Sequence, residues 1–384
     1  MYRKIEVDQI PQTYSDNRGK RIHTINWKNY TSLAGLVLLI IISSIMSPTF
    51  LSPFNIVNVA SQIAAPGVLA IGMTLIILTA GIDLSVGSLI ALTGVVLALA
   101  TPVVGWPMAL LLTIIVSITI GLLHGLVITK LNVPPFIVTL AGLTGYKGLA
   151  LILTGAASVP IKESALNYLG AGRIDGMTSY IISIIISGLI LVNYLRSFRK
   201  YEASEKIKKL VVNLVSIACL LFFGYLVFQV GGIPVQVLGF VLIFAVVWFV
   251  LNKTIFGREI YAIGGNPEAA KLAGVKVNRG LVIVYSIMGL LSAIAGIMVA
   301  TRLGSGTPQV GNLGELDAIA AVVIGGTSLM GGVGKLGGTI IGVILIGILN
   351  NLLSLLNITA DMQMIFKGAI ILGAVILDGK LSKK

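Results

Sequence analysis

The sequence predicts an all-α integral membrane protein, a polytopic bundle of about twelve transmembrane helices, and three observations carry that prediction. Mean hydropathy is +1.01, with 56% hydrophobic and only 11% charged residues, against roughly a quarter charged in soluble domains. The apolar runs are long, and a helix needs about 20 residues to cross the hydrocarbon core. The basic residues lie between those runs instead of forming one patch, so a net charge of +13 reports membrane topology and implies no nucleic-acid partner.

Twelve spans are expected, near 31–48, 54–80, 84–101, 106–130, 135–154, 178–195, 210–230, 233–252, 281–301, 315–330, 335–356 and 360–378. Residues 1–30 read as a polar tail, 31–378 as one membrane domain, and 379–384 as a second tail. The first apolar run follows a long basic stretch, so 31–47 reads as a retained span and not as a cleaved signal. Four segments hold 20 of the 27 basic residues: the first tail, Arg196 to Lys209, Lys253 to Arg279, and the last tail. With twelve spans these share one face, which the basic excess makes cytoplasmic, and both termini with it.

The spans differ in character. Those near 178–195 and 210–230 are rich in large aliphatic residues and joined by a charged loop, as expected of a peripheral pair facing lipid. Small residues crowd 64–94 and 314–347, and Gly121-x-x-x-Gly125 and Gly338-x-x-x-Gly342 allow close backbone approach. Two of these inner segments, Thr79-Ala-Gly-Ile-Asp-Leu-Ser-Val-Gly-Ser88 and the glycine-rich Gly325 to Gly338, interrupt apolar stretches with glycines and hydroxyls. Paired interruptions in the two halves point to a transport path, although glycine-rich re-entrant structure alone would also produce them.

Intramembrane ionisable groups are functional candidates because burying them is costly. Asp83 is placed to cap the helix after it, or to touch a ligand. Lys147 is expected to snorkel or to meet a carbonyl, and Glu315 and Asp317 to lie at the outer mouth. Asp361 and Lys367 fall in the last span. His124 reads as a lone core histidine, and Cys219, the single cysteine, as a buried small hydrophobe. No metal site can be assembled from these residues. Gly334-Lys335 lacks the hydroxyl residue and the preceding strand of a phosphate loop, and no catalytic constellation is present. The chain is therefore not expected to be an enzyme or to bind a cofactor.

The stretch 253–280 is a polar island between two spans. Within it Asn266 suits a helix N-cap, Pro267 the first helical position, and Glu268 the positive end of the helix dipole. Gly274 ends the turn. A short helix from Pro267 to Ala273 is expected, with Ala269, Ala270, Leu272 and Ala273 giving a small-residue face that another protein can approach closely. A well-capped surface turn would satisfy the same residues.

Four motifs together carry a resemblance. They are Leu78-Thr-Ala-Gly-Ile-Asp-Leu-Ser-Val-Gly-Ser-Leu89, Asn132-Val-Pro-Pro-Phe-Ile-Val-Thr-Leu140, Gly257 to Gly274, and Asp317-Ala-Ile-Ala-Ala-Val-Val-Ile-Gly-Gly-Thr-Ser-Leu329. Over nearly its whole length the chain resembles the permease subunits of bacterial ATP-binding cassette (ABC) importers for monosaccharides, the ribose, galactose, arabinose and xylose group. That resemblance implies the ABC importer permease fold, a core of about ten spans to which the pair near 178–230 is added, as in the xylose branch. It further implies a homodimer in the bacterial inner membrane, among lipid, with a path on the two-fold axis. A periplasmic or extracellular sugar-binding protein is expected outside, and beneath the dimer an ATPase that uses ATP and Mg. Carried over residue by residue, the ATPase contact falls on Asn266, Pro267, Glu268, Ala269, Ala270, Lys271, Leu272, Ala273 and Gly274. Sugar-path candidates are Asp83, Ser85 and Ser88 from the first interruption, and Thr327 and Ser328 from the second. The rival reading is an ion-coupled secondary sugar transporter, whose relay would have to come from Asp83, Lys147, Asp361 and Lys367.

Overall fold

A computed structural model describes residues 31–197, 203–359, 361–369 and 372; the two tails, His23 and the middle of the 196–209 loop lie outside them. The order is α1 (Thr31–Met46), α2 (Pro53–Leu78), α3 (Val86–Val104), α4 (Trp106–Lys130), α5 (Pro135–Thr154), β1 (Val159–Pro160), α6 (Ser164–Ala171) and β2 (Arg173–Ile174). It continues with α7 (Gly176–Ser197), α8 (Ala203–Gln229), β3 (Ile233–Pro234), α9 (Val235–Lys253), α10 (Ile255–Gly265), α11 (Pro267–Leu272), α12 (Val277–Leu303), β4 (Ser305–Gly306), α13 (Gly314–Ile324) and α14 (Leu336–Leu355). Among the described residues nine helices are long and apolar enough to cross a membrane. The shorter α1 and helical backbone over 361–369 add two more of the expected spans.

Glycines set the central packing, because where they lie two helix backbones touch. Gly121 and Gly125 of α4 meet the backbone of α12 at Tyr285 and Val282, and Gly289 of α12 meets Ser117, so α4 and α12 run antiparallel. Gly94 of α3 faces Ala300, while Gly296 faces Ile90 and Thr93. Thus α3 and α12 run in the same direction, and the start of α3 lies level with the middle of α12. The chain between Leu78 and Val86 is therefore non-helical at membrane depth.

A second ladder ties α2 to α14. The Asn55 and Asn351 amides exchange two hydrogen bonds of 3.0 and 2.9 Å, Ile63 packs on Gly347, and the Thr74 and Thr339 hydroxyls meet at 2.8 Å. Ser32 of α1 donates to the Ile324 carbonyl. The hairpin α7–α8 packs mainly on itself, and Ile181, Ile185, Leu189, Val211 and Phe222 are exposed along it, as expected of the peripheral pair.

The tenth expected span, 315–330, is built differently. β4 pairs with β1 at the end of the bundle where α12 finishes, and the chain then turns inward without helix as far as Leu313. There α13 begins, only 11 residues long, or about 16 Å. Its end meets the start of α14, Gly325 lying against Gly338 and Ala321 against Gly342. The crossing is thus a non-helical first half, made of turns over 308–313, and a helical second half. Glu315 lies at its middle, buried at 6% exposure, and not at the outer mouth.

Cys219 is exposed on α8 and is not the buried small hydrophobe expected from its apolar run. His124 is buried and its Nε2 lies 2.7 Å from the Tyr146 hydroxyl, a core histidine with its polar need met from α5.

Candidate functional site: the α10–α11 platform and the two interruptions

The polar island is two helices. Thr254 caps α10, accepting from the Gly257 N–H at 3.3 Å, and the amphipathic α10 buries Ile260 and Ile263. Asn266 then caps α11, its Oδ1 accepting from the Ala269 N–H at 3.0 Å, with Pro267 at the first turn. The helix runs Pro267–Leu272, with Ala273 as its C-cap. The chain leaves through Gly274 at φ +87°, a left-handed conformation that glycine adopts without strain.

Of the nine residues from Asn266 to Gly274 only Ala270 is buried, and Leu272 is 89% exposed. A leucine so exposed on a rigid, capped turn is unused by the protomer that carries it.

The platform is clamped from three sides. Gly264 sits so close to the Leu78 carbonyl and the Gly332 N–H that a Cβ would overlap both, and Gly331 packs on Ala80 and the Gly264 carbonyl. The Tyr261 hydroxyl donates to the Gly334 carbonyl at 3.0 Å, and burial pushes that hydroxyl above its ordinary pKa. Gly280, at the start of α12, meets Ile263. One face of α10 therefore holds both the end of α2, where the first interruption starts, and the loop 325–335 of the second. The Gly332 N–H donates to the Leu78 carbonyl at 3.0 Å and joins those two directly.

Deeper in the bundle the first interruption touches the turns that precede α13. A Cβ on Gly87 would stand 2.3 Å from the Gly311 carbonyl oxygen, and one on Gly311, at φ +75°, would stand 2.1 Å from that of Gly87. Real Cβ atoms do not approach a backbone so closely, so only glycine permits this crossing.

The sequence-derived path residues lie in the walls of this arrangement. Asp83 is 3% exposed; its Oδ1 accepts from the Ser85 N–H at 2.9 Å and hydroxyl at 2.7 Å, which fixes the turn into α3. Ser88 donates to the Leu143 carbonyl at 2.7 Å. Thr327 is buried against Gly334, and the Ser328 Oγ accepts from the Met330 N–H at 3.2 Å. Asp83, Ser85 and Ser88 belong to the first interruption, Thr327 and Ser328 to the second. Sequence reasoning missed α10, whose apolar period is broken by Arg258 and Glu259, and the exposed Met330 and Val333 beside it.

Residues 55–375 match the family described as branched-chain amino acid transport system / permease component. The chain belongs to this family. The ribose import permease of Bacillus subtilis is 41% identical over 353 residues, 91% of this chain and 92% of that protein. The xylose transport system permease protein of Escherichia coli K12 is 36% identical over 373 residues, 94% of each chain. That of Haemophilus influenzae is 38% identical over 374 residues, 95% of this chain and 99% of its own. No solved structure matches. The permease is thus a multi-pass transport component and not an enzyme.

Proposed function

We propose that this permease is the membrane-spanning subunit of an ATP-driven ABC importer that moves a monosaccharide, xylose in the first instance, across the bacterial inner membrane. The observation that carries the reading is α11: rigidly capped, exposed on every residue but one, and clamped through α10 to both interruptions. Asn266 to Gly274 dock in a cleft of an ATPase, which binds and hydrolyses ATP with Mg. Closure of the ATPase displaces α11, and α10 passes the displacement to Leu78 and to the loop 325–335, besides α9 and α12 on either side.

The permease works as a homodimer, with the sugar path on its two-fold axis and a sugar-binding protein on the outer face. Asp83, Ser85 and Ser88 with Thr327 and Ser328 flank that path and are reached by sugar only when the two interruptions part. Lys130, Lys253, Arg258, Lys271, Lys276, Arg279 and Lys335 gather at the α11 end and Lys162, Arg173 and Arg302 at the other, which supports a cytoplasmic α11 and cytoplasmic termini. The relay residues of a secondary transporter are each held by a partner: Lys367 pairs with Asp317 at 2.8 Å, Lys147 bonds Asn312, and Asp83 bonds Ser85.

Reconstitution into liposomes tests the reading. Sugar accumulates only with ATP, ATPase and binding protein together, and Gly274→Trp or Glu268→Arg lowers uptake with membrane insertion intact. Accumulation by the permease alone under a proton or sodium gradient would instead make it a secondary transporter.

A further inference from the structure

Among the described residues, the exterior of the bundle carries a polar patch around Lys147 where lipid would otherwise be expected. Lys147 lies 12 residues into the 20-residue α5, about 10 Å from its far end. An ammonium at that depth in lipid would turn toward the nearer surface. It instead reaches sideways, its Nζ donating to the Pro308 carbonyl at 2.7 Å and to Asn312 Oδ1 at 2.7 Å. Both acceptors belong to the turns that feed α13.

Two physical rules bear on this face. Non-helical backbone at membrane depth is tolerated only where protein buries it or water lines it, yet Gln309 and Asn312 are exposed. Ionisable side chains within spans face the bundle interior or a wet cavity, yet Lys147 is only partly covered. Thr144, one turn before Lys147, is exposed with its hydroxyl bonded within its own helix, and an added Cβ at Gly145 or Gly148 would meet nothing. Leu140 and Leu149 bound the patch. By contrast the exposed face of α7–α8 is mostly apolar.

We propose that this face lines the sugar path, and that Lys147 and Asn312 are its sugar-contacting residues. The inference rests on the monosaccharide reading above and deepens it. A monosaccharide is neutral and offers hydroxyls that both donate and accept. Lys147 keeps one N–H beyond the two it uses, and the Asn312 amide offers N–H groups. These donors and the acceptors beside them suit a neutral polyol.

The test uses the assembled transporter in liposomes, in a Cys219→Ser background whose uptake is unchanged. Asn312→Cys reacts with a small charged thiol reagent, and whichever of D-ribose or D-xylose the binding protein delivers slows that reaction threefold or more. Gln309→Cys serves the same purpose if Asn312→Cys does not assemble. Lys147→Met lowers the maximal uptake rate about tenfold, the loss of a hydrogen bond to a charged group, without moving the half-saturating sugar concentration, and Lys147→Arg restores part of it. Labelling by a lipid-soluble maleimide alone overturns the proposal, as does labelling that sugar leaves unchanged while uptake is intact. If the background protein moves no sugar at all, the proposed function fails, whereas the charged reagent still reports whether the face is wet.

Discussion

Leu272→Ala separates docking from folding more cleanly than any other change in this chain. The side chain is 89% exposed, so truncation removes almost nothing from the protomer, and a surface change of this kind costs within about 0.5 kcal/mol. In a docked state the same side chain is available to be buried. Leucine loses three carbons on becoming alanine, and at about 0.8 kcal/mol per buried methylene the docked complex weakens by about 2 kcal/mol, or about 30-fold in Kd. Titrating purified ATPase onto the permease in nanodiscs measures that ratio directly, and the thermal unfolding midpoint of the permease alone controls for folding. ATPase affinity unchanged within about twofold, with the permease intact, would refute the reasoning, because the most exposed leucine of α11 would then be touching nothing.

Three further changes probe how the platform is joined to the bundle. Gly311→Ala places a Cβ 2.1 Å from the Gly87 carbonyl oxygen at a positive φ and is expected to cost about 2 kcal/mol or more, lowering the unfolding midpoint and abolishing uptake; a stable, active variant would mean that the first interruption and the turns before α13 do not cross there. Tyr261→Phe removes the hydrogen bond to Gly334, worth about 1 kcal/mol, and should leave ATPase binding unchanged while lowering uptake per ATP hydrolysed. Burial raises the Tyr261 pKa, so this bond is present below the ordinary value of about 10 and lost only as pH rises through the higher one. Uptake between about pH 6 and 9 should therefore show no inflection that Tyr261→Phe removes. Asn55→Leu orphans the buried Asn351 amide and should destabilise by about 1–3 kcal/mol, whereas Asn55→Leu with Asn351→Leu should recover part of that loss in the same unfolding assay.

Hydropathy made most of the spans legible, because a membrane demands length and apolarity of every crossing helix. The α11 caps were legible too, since Asn266, Pro267 and Glu268 satisfy helix-end chemistry locally and Gly274 supplies the left-handed exit. The tenth span was misread: 315–330 is mostly apolar, and composition does not distinguish a full helix from a half helix fed by turns. What decides it is the contact of Gly311 with Gly87, 224 residues apart in sequence and invisible to any local period. The expected carbonyl contact of Lys147 holds, but its partner Pro308 could not be named, again because the pairing is long-range. Cys219 failed for a different reason, as an apolar run identifies a span without saying which side of it faces lipid.

Cross-linking from α11 in the working assembly tests the central claim most directly. With a photoreactive residue at position 272 and ATPase and binding protein both present, the account predicts an adduct with the ATPase whose yield changes between the ATP-bound and nucleotide-free states. Adducts with the binding protein, or with lipid alone while sugar is still being taken up, would contradict it.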